Sequence, residues 1–388
     1  MTQTSTAAEA APASALLDVF AQSDVRPERG DGVYVRDAEG RRYLDCYGGH
    51  AVALLGYNHP KLCATLDAQA RKLFFQSNLF DLDVRRRAAE RLVRFGPAGL
   101  TKAFFVNSGA EANENALRIA FLATGRERVV CVDGAFHGRT AAAGAVTAGA
   151  EGWYAFPRAP FSVLRVPFDD VTALDAAVDD SVAAVIFEPV QGMAGARPHS
   201  EGYLKAAREI TRRRGAALIF DEVQCGVGRS GRPFAAQAYG VTPDLLTAAK
   251  GLAGGFPVGA VLVSDALAAV VKKGDLGTTF GGGPMACALV ACVLDVIEDD
   301  DLLPRVRRLS DRIRTEAVVG PVVGVQGMGF LLGLRTARPA KETLAELKRR
   351  GVLAGGSADP HVVRILPPLI LEDAHVDALI AALRGDAA

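Results

Sequence analysis

Residues 202–221, GYLKAAREITRRRGAALIFD, decide the fold. Gly202–Arg213 repeats its apolar residues at helical spacing. Ala217–Phe220 is then an uninterrupted apolar run of strand length, and Asp221 ends it. The same unit recurs on both sides. Apolar strands are expected at Lys102–Val106, Val129–Val132, Ala183–Phe187, Leu245–Thr247 and Val258–Val263, with helices between most of them, Glu111–Ala123 included. Alternating strand and helix predicts an α/β fold with a mostly parallel sheet and helices on both faces. Near-continuous apolar strands fit a sheet covered on both sides.

Outward from that block the texture changes. Val33–Val35 and Arg42–Leu44 read as two short strands around a turn at Asp37–Gly40, followed by the glycine-rich stretch 47–52. After Pro284 come helices near 285–297 and 302–317, strands near Phe330–Leu334 and Val362–Leu366, and a last helix near Asp373–Arg384. The expected division is a disordered tail over 1–14, a segment 15–58 joining the small domain, a large domain over 59–284, and a small α+β domain over 285–388.

Composition removes several function classes. The 388 residues carry 44 basic and 44 acidic side chains, a formal net charge of zero. That balance argues against nucleic-acid binding by bulk phosphate attraction and against a polybasic membrane-surface protein. No run reaches the ~18 apolar residues of a membrane span. The start has no basic residues before an apolar stretch, so it does not read as a secretory signal. The six cysteines include no Cys-x-x-Cys pair and read as reduced, small hydrophobes of a cytoplasmic protein. No metal site is expected.

Four places carry chemistry. Asp221 and Lys250 each end an apolar run, at the carboxyl ends of strands, where open α/β sheets place their ligand crevice. A lysine desolvated there becomes a nucleophile or forms a Schiff base. An aspartate there suits a pyridinium nitrogen. Alone, each charge reads equally as a strand-end cap. Asn107–Asn113 follows a strand and opens a helix. Ser108 and Glu111 have capping-box spacing, Gly109 permits close backbone approach, and the free amides suit a phosphate. In Gly134–Thr140, Phe136 offers a ring for stacking on a planar cofactor, and Arg139 a fork for a carboxylate. His137 reads as structural. Finally Glu188, ending the strand Ala183–Phe187, and Arg364, inside an apolar strand, each need a partner if buried.

Taken together, these segments resemble the class III aminotransferases of the ornithine/acetylornithine type, which use pyridoxal 5′-phosphate (PLP). The resemblance spans about residues 30 to 385. It rests on Gly40–Asp45, Asn107–Ala112, Phe136–Thr140, Phe187–Pro189, Phe220–Gln224, Ala249–Gly251, Thr279–Gly282 and Arg364, in that order. It implies fold type I, with 59–284 as the PLP-binding domain. It implies Lys250 as the Schiff-base lysine and proton shuttle, and Asp221 as the pyridinium partner. Ser108, Gly109 and Ala110 would cradle the phosphate, Phe136 would stack on the ring, Val223 would pack its other face, and Gln224 would lie near its phenolic oxygen. Thr279 would reach the phosphate of the neighbouring subunit, so the working unit would be a homodimer with shared active sites. Arg139 and Arg364 would clamp carboxylates, with Glu188 as the switch that neutralises Arg364.

Chain length and Phe136–Thr140 lean toward the acetylornithine branch of arginine biosynthesis, with an acylated diamino acid as donor and 2-oxoglutarate as acceptor. His50 occupies the position where ornithine δ-aminotransferases carry a tyrosine, which argues against free ornithine. Other ω-amines of the same class (acyl-lysine, ornithine, 4-aminobutyrate) and a PLP aminomutase or decarboxylase are the alternatives. Departures from the family pattern, His50, Gly283 and the loop around Trp153, gather on the substrate side. A Rossmann dehydrogenase would need a Gly-x-Gly-x-x-Gly turn between its first strand and helix, with an acidic residue ~20 positions on, and no such arrangement follows any candidate first strand. A non-catalytic relative would be expected to lack Lys250 or Asp221.

Overall fold

The computed structural model describes residues 15–385. The tail expected over 1–14 lies outside the described residues. The large sheet has seven strands, in the spatial order Leu100–Val106, Gly259–Ser264, Leu245–Ala248, Ala217–Asp221, Val182–Phe187, Arg128–Val132 and Ser162–Val166. Gly259–Ser264 pairs antiparallel with both its neighbours. The pairs among the other strands are parallel.

Alternate residues along the central strands enter separate apolar clusters. Val130, Val132, Val185, Phe187, Leu218 and Phe220 join one. Val129, Cys131, Ala184, Ile186, Ala217 and Ile219 join the other. Period-two alternation with both sides apolar is what a sheet buried on both faces requires.

Helix ends fix where the strands point. Ser108 caps the helix Gly109–Thr124, its Oγ accepting from the Glu111 N–H at 3.2 Å. Ser200 caps Glu201–Arg214 by accepting from the Tyr203 N–H at 3.1 Å, and Gly215 stops that helix at φ 65°. Each crossover therefore brings a strand's carboxyl end and a helix's amino end to the same edge of the sheet.

Three smaller sheets complete the chain. Pro27–Asp31, Tyr34–Asp37 and Arg42–Asp45 form one with Val352–Leu353, which runs parallel to Arg42–Asp45. Val322–Met328, Leu331–Thr336 and Val362–Ile365 form an antiparallel one. Val190–Gln191 pairs with Arg197–Pro198. The helix Pro284–Asp299 packs on Pro60–Lys72 and Asp83–Phe95, whereas Leu302–Glu316 packs on Asp373–Arg384 and Val322–Met328. The texture shift at Pro284 thus marks the start of a helix. Packing partners change only after Asp299.

Several elements were not expected from pattern. Pro27–Asp31 is polar and mostly exposed, so no hydrophobic run announces it. Gly324 and Gly327 break the alternation of Val322–Met328. Ser162–Val166 is the sheet's edge and is mostly half-buried. Ala340–Arg349 is a short amphipathic helix on the small sheets.

Candidate active site

A cavity of ≈ 390 Å³ opens at the carboxyl ends of the strands. The start of the helix Gly109–Thr124 gives it Ser108, Gly109 and Ala110. The loop after Arg128–Val132 gives it Phe136 and Arg139. The ends of the next strands give it Asp221, Val223 and Lys250. Eight of the residues expected at the site are therefore in one place, although they span positions 108 to 250.

The helix start is open. Ser108 Oγ takes the Glu111 N–H, and Glu111 Oε2 accepts from the Asn107 N–H at 2.9 Å. The capping box thus closes one residue earlier than expected, on Asn107. The amides of Gly109 and Ala110 meet no acceptor among the described residues. A Cβ on Gly109 would lie 2.7 Å from Val223 Cγ1, so only glycine fits there. Two free amides at a helix start form an anion site.

Asp221 is 3% exposed and its carboxylate is fully engaged. Oδ2 accepts from Asn113 Nδ2 at 2.7 Å and from His137 Nδ1 at 2.7 Å. Oδ1 accepts from the Val223 N–H at 3.0 Å. His137 is thus a support for Asp221, in line with the structural reading of it. Its Nε2 is buried and has no partner.

Lys250 follows Leu245–Ala248 at φ 50°, in the left-handed region. A non-glycine residue there costs on the order of 1–2 kcal/mol. Its side chain has no hydrogen bond or ion pair among the described residues. Burial holds its amine below the ordinary lysine range. The charges of Asp221 and Glu188 oppose that shift, and Arg364 adds to it.

Glu188 and Arg364 lie beside the cavity, both buried. Glu188 Oε1 accepts from the Phe136 N–H and Oε2 from the Gly192 N–H, each at 2.9 Å. Burial, with the Asp221 charge behind it, pushes the Glu188 carboxyl up to about 7. Arg364 donates from Nε to Gly356 O at 2.6 Å, and from Nη1 to Gln224 Oε1 at 3.3 Å and Gly192 O at 3.4 Å. The direct Glu188–Arg364 ion pair that the resemblance suggested is not formed. Backbone donors satisfy Glu188 where it stands, and neutral oxygens hold Arg364. Gln224 lies against Arg364 and outside the cavity lining.

The remaining expected residues are more peripheral. Arg139 is exposed and stacks over Trp153, its Cζ 4.6 Å from the ring centroid. Trp153 therefore packs on a cavity residue. His50 sits in a left-handed run from Gly48 to Ala51. The Tyr47 hydroxyl lies 2.5 Å from its Nδ1. Burial, then the charges of Arg364 and Lys250, hold His50 below the ordinary histidine range. Thr279 is exposed and outside the cavity. Its neighbour Thr278 accepts from Asn107 Nδ2 at 3.3 Å.

Asn113 and Thr247 were not singled out from the sequence, and they complete the support of Asp221. The available signal was a buried asparagine one turn past Gly109, on the helix face that meets the sheet. Among the described residues no cluster of His, Cys, Asp or Glu is placed to hold a metal. Nor is any helix there long and apolar enough to cross a membrane.

Comparison with known proteins agrees with this arrangement. Residues 19–385 match the family model described as aminotransferase class-III. A Streptomyces coelicolor protein named acetylornithine aminotransferase is 45% identical over 363 residues, covering 92% of this chain and 89% of its own. The structure of ornithine aminotransferase from Toxoplasma gondii superposes with a TM-score of 0.89 at 30% identity, covering 96% and 92%. That of acetylornithine aminotransferase from Elizabethkingia anophelis gives 0.85 at 30% identity, covering 96% of both chains.

Proposed function

The chain belongs to the class-III aminotransferases, and from that premise we propose that it moves the ω-amino group of N-acetylornithine to 2-oxoglutarate, giving a semialdehyde and glutamate. Its cofactor is pyridoxal 5′-phosphate. The observation that carries the site reading is Lys250, which has no hydrogen-bond partner among the described residues, in one cavity with the buried carboxylate of Asp221 and the amides of Gly109 and Ala110, which meet no acceptor among those residues. The names of relatives at 38–45% identity support the donor.

The residues present fit the cofactor. When bound, it supplies an electron sink for charge developing at the carbon that bears the amine. Gly109 and Ala110 would hold its phosphate, with Ser108 beside them. Phe136 and Val223 would pack its ring, and Asp221 would face the ring nitrogen. Gln224 would serve the phenolic side only by leaving Arg364. Lys250 would hold the cofactor covalently at rest. Once free, it would carry the proton to and from the substrate carbon, and burial, which lowers its basicity, favours the neutral amine that this needs. Arg139 would bind the donor's α-carboxylate, stiffened by Trp153. Arg364 would bind the acceptor's carboxylate through the donors its neutral partners leave free, with Glu188 setting the local charge and His50 at the same end.

We read the working unit as a homodimer. Phe74, Phe75, Leu79, Phe80 and Phe280 are exposed, and Phe280 follows Thr279 directly. An apolar surface there, next to the residue expected to serve a neighbour's phosphate, supports shared sites. The strand pairing of Arg42–Asp45 with Val352–Leu353 supports grouping 15–58 with the small domain. Neutral net charge and free cysteines support a cytoplasmic enzyme with small-molecule partners, and the names of the relatives support a place in arginine biosynthesis.

A second reading, another ω-amine of the same class, is favoured by one observation: the polar Tyr47–His50 pair at the Arg364 end. One experiment decides. Holoenzyme is given 2-oxoglutarate with N-acetylornithine, ornithine, lysine or 4-aminobutyrate, and glutamate is measured. The reading expects N-acetylornithine to lead in kcat/KM by roughly 100-fold, the scale of pocket discrimination. A different leading donor moves the substrate and leaves the reaction class.

A further inference from the structure

The Asp221 carboxylate takes side-chain hydrogen bonds from His137 and Asn113. What holds it is a relay from a neighbouring strand. Thr247 lies directly beside Asp221 in the parallel pair of Ala217–Asp221 with Leu245–Ala248. Its hydroxyl nevertheless turns to Asn113, with Oγ1 2.8 Å from Asn113 Oδ1. Asn113 Nδ2 lies 2.7 Å from Asp221 Oδ2 and 2.7 Å from the His137 carbonyl. Asn113 is 1% exposed and Thr247 0%.

The chemistry fixes every direction in this relay. A carboxylate and a carbonyl only accept, so the amide nitrogen must face Asp221 and His137. The amide oxygen then faces Thr247, whose hydroxyl must donate. No member can turn without leaving a buried polar atom unpaired. The amide thus has one orientation, set from outside the cavity.

We infer that Asn113 and Thr247 are positioning residues for Asp221: the Thr247 hydroxyl locks the Asn113 amide, and the amide locks the carboxylate in the orientation that serves the cofactor ring. The inference rests on the reading of Asp221 as the partner of the ring nitrogen. With Oδ2 fixed by Asn113 and Oδ1 by the Val223 N–H, the carboxylate has one orientation toward the cavity.

The test uses Asn113→Leu, which removes the donor at similar volume, Thr247→Val, which removes only the hydroxyl, and the double variant. Apoprotein is titrated with pyridoxal 5′-phosphate, and kcat and KM for both substrates are measured on holoenzyme. Asn113→Leu should weaken cofactor binding about ten-fold or more, the scale of a hydrogen bond to a charged group. It should lower kcat while both KM values stay within about three-fold. Thr247→Val should do the same more weakly, and the double variant should be no worse than Asn113→Leu, as members of one relay are not additive. A lowered unfolding midpoint with unchanged cofactor affinity and kcat would mean packing alone and overturn the inference. Additive losses would overturn it too. If Asn113→Leu does not fold, Thr247→Val decides. Asp221→Ala separates the two levels. If it leaves cofactor binding and turnover intact, the reading of Asp221 fails. If it cripples both while the relay variants behave as wild type, that reading stands and the relay does not.

Discussion

Glu188 and Arg364 meet Gly192 from its two sides without meeting each other. The Gly192 N–H donates to Glu188 Oε2, and the Gly192 carbonyl accepts from Arg364 Nη1. A Cβ on Gly192 would fall 1.9 Å from Gln224 Oε1, the other oxygen that accepts from Arg364 Nη1. The arginine is thus seated on neutral acceptors and keeps its charge for an incoming carboxylate.

Removing that charge should affect one substrate. Arg364→Leu is expected to raise KM for 2-oxoglutarate by about 10- to 100-fold, the scale of a charge-assisted hydrogen-bond pair. KM for the amino donor should move far less. Arg139→Leu should show the reverse split. Steady-state kinetics with each substrate varied in turn checks both, and equal effects on the two substrates would contradict the division of labour.

Lys250→Ala should lower turnover by about 10³-fold or more, since both the covalent anchor and the proton carrier are lost. Cofactor should still bind through the helix start, so the variant should take it up yet release it on denaturation without borohydride trapping. Intact-protein mass spectrometry after reduction reads the difference.

The fully buried Glu222 predicts a pH dependence of stability. Its carboxylate accepts from the N–H groups of Ala235 and Ala236 at the start of the helix Ala235–Tyr239. Burial outweighs those bonds and pushes its carboxyl from 4.5 up to about 7. The folded state therefore binds more protons than the unfolded state between those values. Its contribution is fully present below pH 4.5 and is lost as pH rises through about 7. The size is about 3 kcal/mol. Glu222→Gln should lower the melting temperature, because an amide cannot satisfy both N–H donors with oxygen. It should also flatten the fall in melting temperature from pH 5 to 7.

Thr279 gives a complementation test of the dimer. Thr279→Ala should weaken cofactor retention although the residue lies outside its own chain's cavity. Mixing Thr279→Ala with Lys250→Ala subunits should restore activity, because the heterodimer contains one site with both residues native. Mixtures no more active than the sum of their parts would place Thr279 outside the partner's site.

Much of this was legible in the chain. Strands buried on both faces announce themselves as apolar runs, and a strand end marks a ligand crevice, so Asp221 and Lys250 stood out. Pro27–Asp31 was invisible because its pairing is carried by the backbone of polar residues. Asn113 was hidden because an asparagine on a helix reads as a neutral or mildly unfavourable choice. Its role comes from Thr247, 134 positions away, and no local pattern encodes that distance. The Glu188–Arg364 contact failed for a related reason. Two buried opposite charges suggest a pair, but sequence does not show that the backbone of Phe136 and Gly192 has already met the needs of Glu188.

The strand order also sets a schedule for synthesis. Leu100–Val106 leads into the turn proposed to hold the phosphate, yet among the described residues its one neighbour in the sheet is Gly259–Ser264. That neighbour leaves the ribosome about 150 residues later, or roughly 10–30 s at ordinary elongation rates. Through that interval the nascent chain carries an apolar edge with no partner, and Arg364 is later still. Cofactor capture is thus confined to nearly finished chains. A ribosome-bound chain stalled before residue 259 should bind a holdase chaperone and no pyridoxal 5′-phosphate.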